Sequence, residues 1–258
     1  AAVEELTYVN MGATAVGTGI NADVEYVKNV VRILSEVTGF EFKQSPDLVD
    51  GTRNLDSFVW LSSALKTCAV NLSKTANDIR LMASGPKAGL AEILLPQQQP
   101  GSSIMPGKVN PVIPEVLNQV CFQIFGNDIT ITKAAEAGQL ELNVFEPVLF
   151  FNLFQSIEIL KNGIITFIEN CLKGITAQEE NCKYWVDRSV GIITALNPHI
   201  GYKNAAEIAK ESIKTGVPVA QIVLQRGLLS KEDLDVILNP FEMTKPGIPG
   251  KALLKKNK

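Results

Sequence analysis

Apolar residues recur at every third or fourth position along most of the chain, and this spacing predicts helices. Over residues 23–37 they form one helical face, which ends at Gly39. Residues 40–53 contain Pro, Gly and Asp and are predicted to be a loop. Because few helix-breaking residues interrupt residues 54–84, this segment is predicted to form a long helix.

Residues 85–107 are rich in Gly, Pro, Ser and Gln, and this composition excludes a regular helix. A second long helix is predicted to follow Pro111 and to end near residue 137. A third is predicted over residues 139–172, with a kink or break at Pro147. Three long helices with little strand signal predict an all-α fold, a long-helix bundle.

The chain after residue 174 predicts shorter elements. The letters TAQE at residues 176–179 form a capping box, which predicts the start of a new helix. Proline, glycine and serine delimit three more predicted helices, over residues 204–215, 218–226 and 230–238. The predicted organisation is a central helical-bundle domain at residues 1–174 and a small helical C-terminal domain at residues 175–258.

The amino-acid composition limits the classes of function that are expected for this chain. The 258 residues are 46% hydrophobic, which is enough for a real core, and the net charge is −3. No basic patch stands out except a short tail, so nucleic acid is not an expected partner. The most apolar run, residues 144–154, contains Glu146 and Pro147 and is too short to span a bilayer, so no membrane is expected either.

The four cysteines are scattered without a C-x-x-C pair, at positions 68, 121, 171 and 182. They are expected to be free, buried thiols of a cytoplasmic protein. The single histidine, His199, excludes a His-rich metal site in this chain and is assigned a structural role. Because the chain starts at Ala1 without a Met or a targeting segment, it is expected to be a fragment of a longer protein.

The strongest chemical signal is the string GSSIMPGKVNP at residues 101–111. Its glycines and prolines set unusual backbone angles and expose amide N–H groups. Lys108 adds a positive charge, Asn110 adds a planar donor and acceptor, and Pro111 starts a helix with free N–H groups. Such a loop can hold carboxylates and stabilise a serine alkoxide. An ordinary surface loop is the alternative for a generic string of this composition.

This string resembles, nearly position for position, the GSSxMPxKxNP signature of the aspartase/fumarase superfamily. That superfamily contains aspartases, class II fumarases, argininosuccinate lyases and adenylosuccinate lyases. The resemblance continues in MGATAVGTGIN at residues 11–21, in the run from residue 76 into the loop, and in the tail strings LNPHIGYKNAAEIAK and NPFEMTKPG. It implies a helical bundle with a small C-terminal domain, a homotetramer whose active sites are shared between subunits, and no metal or organic cofactor.

Two further strings, PVIPEVLNQVCFQIFGND and EAGQLELNVFEPV, resemble the aspartase branch, since fumarases usually carry TQCE at residues 112–115. The implied activity is a carbon–nitrogen lyase reaction, the reversible elimination of ammonia from L-aspartate to give fumarate. The alternatives are a class II fumarase and a non-catalytic structural fragment. Because the N-terminal motifs of the family are missing, this chain alone is predicted to have little or no activity.

The resemblance also implies roles for residues of the loop. Ser102 is the expected general base, which removes the C3 proton and forms an aci-carboxylate. Lys108 and Asn110 match positions that bind substrate carboxylate, and Ser103 is counted with them. Met105 is also counted with them, although a role as a hydrophobic lid residue explains it equally well.

Three residues are expected to support the site. Glu115 resembles an acidic residue that partners a histidine from elsewhere in the family, although its place in a first helical turn explains it equally well. Thr18 and Asn21 belong to a segment that lies beside the active site in relatives, although tight packing explains its glycines. Four polar residues, Glu136, Gln139, Glu141 and Asn143, are expected to be buried in the bundle.

Overall fold

The computed structural model describes residues 1–101, 103–105 and 107–255. The chain divides into two compact units. The first contains residues 1–89 and 93–176, and the second contains residues 90–92 together with the chain from residue 177 onward. The second unit is therefore built from two separate stretches of sequence.

The first unit begins with short elements around one amphipathic helix. These are α1 (Ala2–Glu5), β1 (Tyr8–Val9), α2 (Val24–Thr38), β2 (Lys43–Gln44) and α3 (Leu48–Arg53), and β1 pairs in parallel with β2. The Asp23 side chain accepts from the N–H of Glu25 at the start of α2, and Gly39 ends the helix in a left-handed conformation.

The prediction of a loop over residues 40–53 was wrong in part. β2 forms because its partner strand lies more than thirty residues away, at residues 8–9, where no local pattern indicates it. α3 forms because the Asp47 side chain accepts from the N–H groups of Val49 and Asp50, which caps the first turn. Both features escape a search for long apolar periodicity.

The rest of the first unit is a bundle of three long helices. These are α4 (Asp56–Met82), α5 (Val112–Glu136) and α6 (Glu146–Asn170), with the short β3 (Ile93–Leu94) between α4 and α5. α5 packs against both α4 and α6. Apolar side chains fill the shared core, among them Ala69, Ala76, Leu117, Ile124, Leu160 and Phe167. The prediction of an all-α long-helix bundle is confirmed.

The sequence predicted a kink or break at Pro147 within a helix over residues 139–172. The helix instead begins at Glu146, so Pro147 lies in the first turn of α6, where its missing N–H is tolerated. The segment before it is held by Asn143, whose Nδ2 donates to the carbonyl oxygens of Ala134 (2.9 Å) and Ala135 (3.1 Å). Asn143 is buried as expected, whereas the other three polar residues expected to be buried are exposed, namely Glu136, Gln139 and Glu141.

α6 is apolar over a longer stretch than the run at residues 144–154 indicated. By length and composition, the helical segment from Glu146 to Gly174 could cross a membrane. A core helix passes the same test, and α6 buries one face in the bundle through Leu149, Leu153, Leu160 and Phe167. Its packing against α5 accounts for those apolar positions without a bilayer.

The second unit is a cluster of short helices. It contains α7 (Glu179–Arg188), α8 (Ile193–Ile200), α9 (Tyr202–Thr215), α10 (Val219–Gln225), α11 (Lys231–Ile237) and α12 (Pro240–Met243). The short β4 (Thr176–Ala177), which pairs with β3, begins at the last residue of the first unit. The core of the second unit is aliphatic and includes Leu196, Ile208, Ile222, Val223 and Ile237.

The helix caps that the sequence predicted in the second unit are present only in part. Ser230 caps α11 as predicted, by accepting from the N–H of Asp233 (3.1 Å). The capping box at residues 176–179 was wrong, because Thr176 lies in β4 and α7 starts after Gln178 without a side-chain cap. Nε2 of His199 lies 2.8 Å from the carbonyl oxygen of Pro249, which agrees with a structural role.

The residues of α7 bind the short stretch 90–92 of the same unit. Trp185 Nε1 donates to the carbonyl oxygen of Leu90 (2.7 Å) and Asn181 Nδ2 donates to that of Ala91 (2.9 Å). The carbonyl oxygen of Glu92 accepts from the backbone N–H of Gln178 (2.8 Å). We call these contacts the α7 clasp.

The thiols differ in burial. Cys121 and Cys171 are buried, Cys182 is half-buried and Cys68 is exposed, and all four are free. The expectation of buried thiols was therefore wrong for Cys68, which lies on the outer side of α4 next to the buried Ala69.

Candidate active site

The loop at residues 101–111 is tied together at its base. The backbone N–H of Gly101 donates to the carbonyl oxygen of Lys108 (2.9 Å), and Asn110 Nδ2 donates to the carbonyl oxygen of Gly101 (3.0 Å). A Cβ atom at Gly101 would lie 2.2 Å from the carbonyl oxygen of Lys108, so no larger residue fits there. Gly107 has φ +80°, which disfavours other residues. The glycines of the string thus set the shape of the loop.

The side chains of the loop are largely open to solvent. Ser103, Met105 and Lys108 are exposed, and Lys108 forms no ion pair with any described residue. The positive charge of Lys108 is therefore available to an anion from outside the chain. The predicted general base, Ser102, lies outside the described residues.

Asn110 has a role that the sequence did not predict, since its amide closes the base of the loop. α5 follows at once, with the N–H of Val112 donating to the carbonyl oxygen of Asn110 (2.9 Å) and that of Glu115 donating to the carbonyl oxygen of Pro111 (3.1 Å). Glu115 therefore lies in the first turn of α5, directly after the loop.

Glu115 belongs to a polar cluster between α4 and α5 that sequence reasoning missed. Arg80 Nη2 lies 4.0 Å from Glu115 Oε1, and Arg80 Nη1 donates to Asn118 Oδ1 at 3.2 Å. Asn118 Nδ2 in turn donates to Ser73 Oγ at 2.9 Å. The available signal was an arginine in the last turn of the predicted helix, within the run that resembles the family.

Thr18 and Asn21 lie in the segment between β1 and α2. No described hydrogen bond or ion pair joins either residue to residues 101–111. Thr18 is exposed, and Asn21 has φ +62°. A Cβ atom at Gly17 would lie 2.3 Å from Val49 Cα, so close packing against α3 requires that glycine.

The cavities described in the structure lie away from the loop. The larger, about 480 Å³, is in the first unit and is lined by several acidic residues, including Asp47, Asp50 and Asp56. The smaller, about 290 Å³, is in the second unit and is mainly apolar, with Ile192, Met243 and Ile248 in its wall. Within the described part of the chain, no cluster of three or more His, Cys, Asp or Glu residues is placed to hold a metal ion.

Two family models match the chain. The model described as Lyase matches residues 1–126, and the model described as Fumarase C C-terminus matches residues 192–245. The first match includes the loop and the start of α5, and the second lies in the second unit.

Curated relatives match almost the whole chain. The aspartate ammonia-lyase of Bacillus subtilis is 60% identical over 253 residues, which are 98% of this chain and 53% of that protein. The aspartate ammonia-lyase of Escherichia coli is 50% identical over 248 residues, 96% of this chain and 52% of that protein. The chain therefore spans about half the length of the curated relatives it matches.

Solved structures share the fold. The fumarate lyase:delta crystallin of Brucella melitensis bound to cobalt superposes with a TM-score of 0.90 and 45% identity, covering 95% of this chain and 53% of that one. The class II fumarase of Schistosoma mansoni superposes with a TM-score of 0.85 and 34% identity, covering 95% and 54%. The long-helix bundle and the cluster of short helices thus define an all-helical protein of the fold that these solved structures share. More specifically, the chain belongs to the aspartase/fumarase superfamily.

Proposed function

We propose that the protein of which this chain forms a part is an aspartate ammonia-lyase, which reversibly eliminates ammonia from L-aspartate to give fumarate. The observation that carries the proposal is the 50–60% identity to aspartate ammonia-lyases over nearly the whole chain. The tied loop at residues 101–111 supports it, because Lys108, which has no ion pair among the described residues, lies beside a helix start, where a dicarboxylate would bind.

In this proposal, the loop binds the substrate and removes its proton. Lys108 and Asn110, with Ser103 and Met105, hold the carboxylate end. Ser102, as an alkoxide, takes the proton from C3, and the electron pair moves into the adjacent carboxylate to form the dianionic aci-carboxylate. Ammonia then leaves C2, and the double bond of fumarate forms.

Glu115, Thr18 and Asn21 have supporting roles in the same proposal. The partial exposure of Glu115 supports its role, because a carboxylate at the start of α5 can accept a hydrogen bond from another subunit. Thr18 and Asn21 would reach a site in a different copy of the chain. Within one chain, no described hydrogen bond or ion pair joins them to residues 101–111, which fits an active site that is shared between subunits.

We also propose a homotetramer in the cytoplasm. Large apolar side chains are exposed along α5 and α6, among them Phe122, Ile129, Phe151, Phe154 and Ile165, and an oligomer would cover them. The free thiols fit a reducing compartment. The net charge of −3 gives no electrostatic reason to propose nucleic acid as a partner. The proposed partner is a small dicarboxylate, aspartate or fumarate, because of the similarity to aspartate ammonia-lyases.

The test is fumarate formation, followed by ultraviolet absorbance, with L-aspartate and L-malate supplied separately. It uses this chain and the full-length protein that contains it. We expect fumarate from aspartate in the full-length protein only. Ser102→Ala should lower kcat by at least about a thousandfold while the oligomer persists. Thr67→Ala is the matched control, since this exposed hydroxyl on α4 donates to Ser63 O (2.9 Å) in its own helix.

The second candidate function is that of a class II fumarase, which the structural likeness to the Schistosoma mansoni enzyme favours. Fumarate from malate but not from aspartate would establish it. A folded oligomer that makes fumarate from neither compound would establish the third candidate, a non-catalytic structural protein. Near-normal rates in Ser102→Ala would remove this serine as the base.

A further inference from the structure

The end of α4 and the start of α5 meet in the polar cluster beside the loop, and Arg80 is at its centre. Its guanidinium is anchored on one side, because Nη1 donates to Asn118 Oδ1 (3.2 Å). Asn118 is itself fixed, since it is only 3% exposed and donates to Ser73 Oγ (2.9 Å) and to the Ser73 carbonyl oxygen (3.2 Å). The charge of Arg80 is thereby held in one place.

The other side of the guanidinium faces Glu115. The separation of 4.0 Å between Arg80 Nη2 and Glu115 Oε1 is longer than a hydrogen bond. Arg80 therefore attracts the carboxylate without occupying its acceptor sites. Among the described ion pairs, this one alone includes Glu115. The carboxylate is thus oriented and can still accept a hydrogen bond from a group outside the chain.

We propose that Arg80 is a positioning residue for the elimination reaction and acts through Glu115. This inference rests on the proposed function. Because the anchor at Asn118 keeps Arg80 beside Glu115, Arg80 holds that carboxylate in position without itself binding substrate. Loss of Arg80 should then lower kcat and leave KM nearly unchanged, and the effect should vanish once the Glu115 carboxylate has been removed.

The test is a double-mutant cycle in the full-length protein, with Arg80→Met, Glu115→Gln and the two combined. We expect Arg80→Met to lower kcat about tenfold and to change KM by less than about twofold. The combined variant should be no slower than Glu115→Gln alone. Arg80→Lys should be intermediate, since an ammonium keeps the charge but lacks the planar fork that reaches Asn118 and Glu115 together.

Two controls separate positioning from folding. Ser156→Ala removes a buried hydroxyl away from Arg80, one that accepts from Asn127 Nδ2 (3.0 Å) between α5 and α6, so it should lower the denaturation midpoint while kcat stays within about twofold. Arg32→Met removes a cation of an exposed pair with Glu36 on α2 and should leave kcat unchanged. If Arg80→Met does not fold, Arg80→Gln carries the same test, because it keeps a donor for Asn118.

The outcomes separate this inference from the proposed function. An active wild type with normal kcat in Arg80→Met overturns the inference alone. So does a combined variant whose loss is the product of the two single losses. If the wild type uses malate instead of aspartate, the same cycle is measured with malate. A wild type inactive on both overturns the proposed function, and the positioning role with it.

Discussion

The ion pair between Lys66 on α4 and Asp128 on α5 gives a sharp prediction about the bundle. Lys66 Nζ lies 2.6 Å from Asp128 Oδ2, and Ser62 Oγ donates to Asp128 Oδ1 at 2.8 Å. The Asp128 side chain is 6% exposed, whereas that of Lys66 is 41% exposed. The carboxylate is therefore the desolvated partner, and its two hydrogen bonds stabilise it.

Lys66→Met leaves the carboxylate buried with one hydrogen bond. Breaking a fully buried pair costs about 3–5 kcal/mol, and an exposed pair contributes about 0–1 kcal/mol. Because water reaches the ammonium but hardly reaches the carboxylate, we expect Lys66→Met to lower the free energy of unfolding by about 2 kcal/mol. Combining it with Asp128→Leu should restore at least about 1 kcal/mol, since no charge is then buried.

The assay is urea unfolding of the chain at a fixed protein concentration, followed by far-ultraviolet circular dichroism. Lys133→Met on α5 is the control, because its pair with Glu136 is exposed, and the midpoint should not move. If the double variant loses as much free energy of unfolding as the two single variants added together, Lys66 does not stabilise the buried charge of Asp128. That result would refute the reasoning.

Two other predictions concern stability. Burial raises the pKa of the Cys121 and Cys171 thiols above the ordinary value of 9.0, with a further rise at Cys121 from Cys68. Unfolded thiols ionise above pH 9.0 while the buried ones stay protonated, so the stability they contribute is complete below that pH and is lost as the pH rises. The urea midpoint of the unaltered chain should therefore fall between about pH 8 and about pH 10, and the midpoint of Cys171→Ala should fall less. An equal fall in the two proteins would contradict this prediction. Asn143→Leu should lower the free energy of unfolding by about 1–3 kcal/mol in the same assay, because the carbonyl oxygen of Ala134 loses its donor inside the bundle. A cost well below about 1 kcal/mol would show that water replaces the amide.

The sequence predicted the elements whose signals are local. Asp23 and Gly39 mark the two ends of α2, and both are cap positions that are recognisable from a few neighbouring residues. Pro147 was misjudged, because proline is compatible with an interior kink and with a first turn. Asn143 decides between them by binding carbonyl oxygens at the end of α5, and that contact exists only after the chain has turned back.

The sequence motif of the site was predictable, but the polar cluster beside it was not. The loop at residues 101–111 stood out from its letters, and its glycines and Asn110 have clear structural roles. The neighbourhood of Glu115 was not predictable, because Arg80 is thirty-five residues away and meets it only when α4 packs on α5. Long-range packing supplies the partners that a motif lacks.

The α7 clasp has a consequence for exchanging parts between relatives. A chimaera joined at residue 176 would give a foreign α7 to the native Leu90–Glu92, and the carbonyl oxygens of that stretch would depend on mismatched donors. The unit that could be exchanged between relatives is thus discontinuous in sequence. Recombination succeeds only if the two distant stretches of the gene that encode it are inherited together. Residues 90–92 would then vary in step with α7 rather than with the bundle.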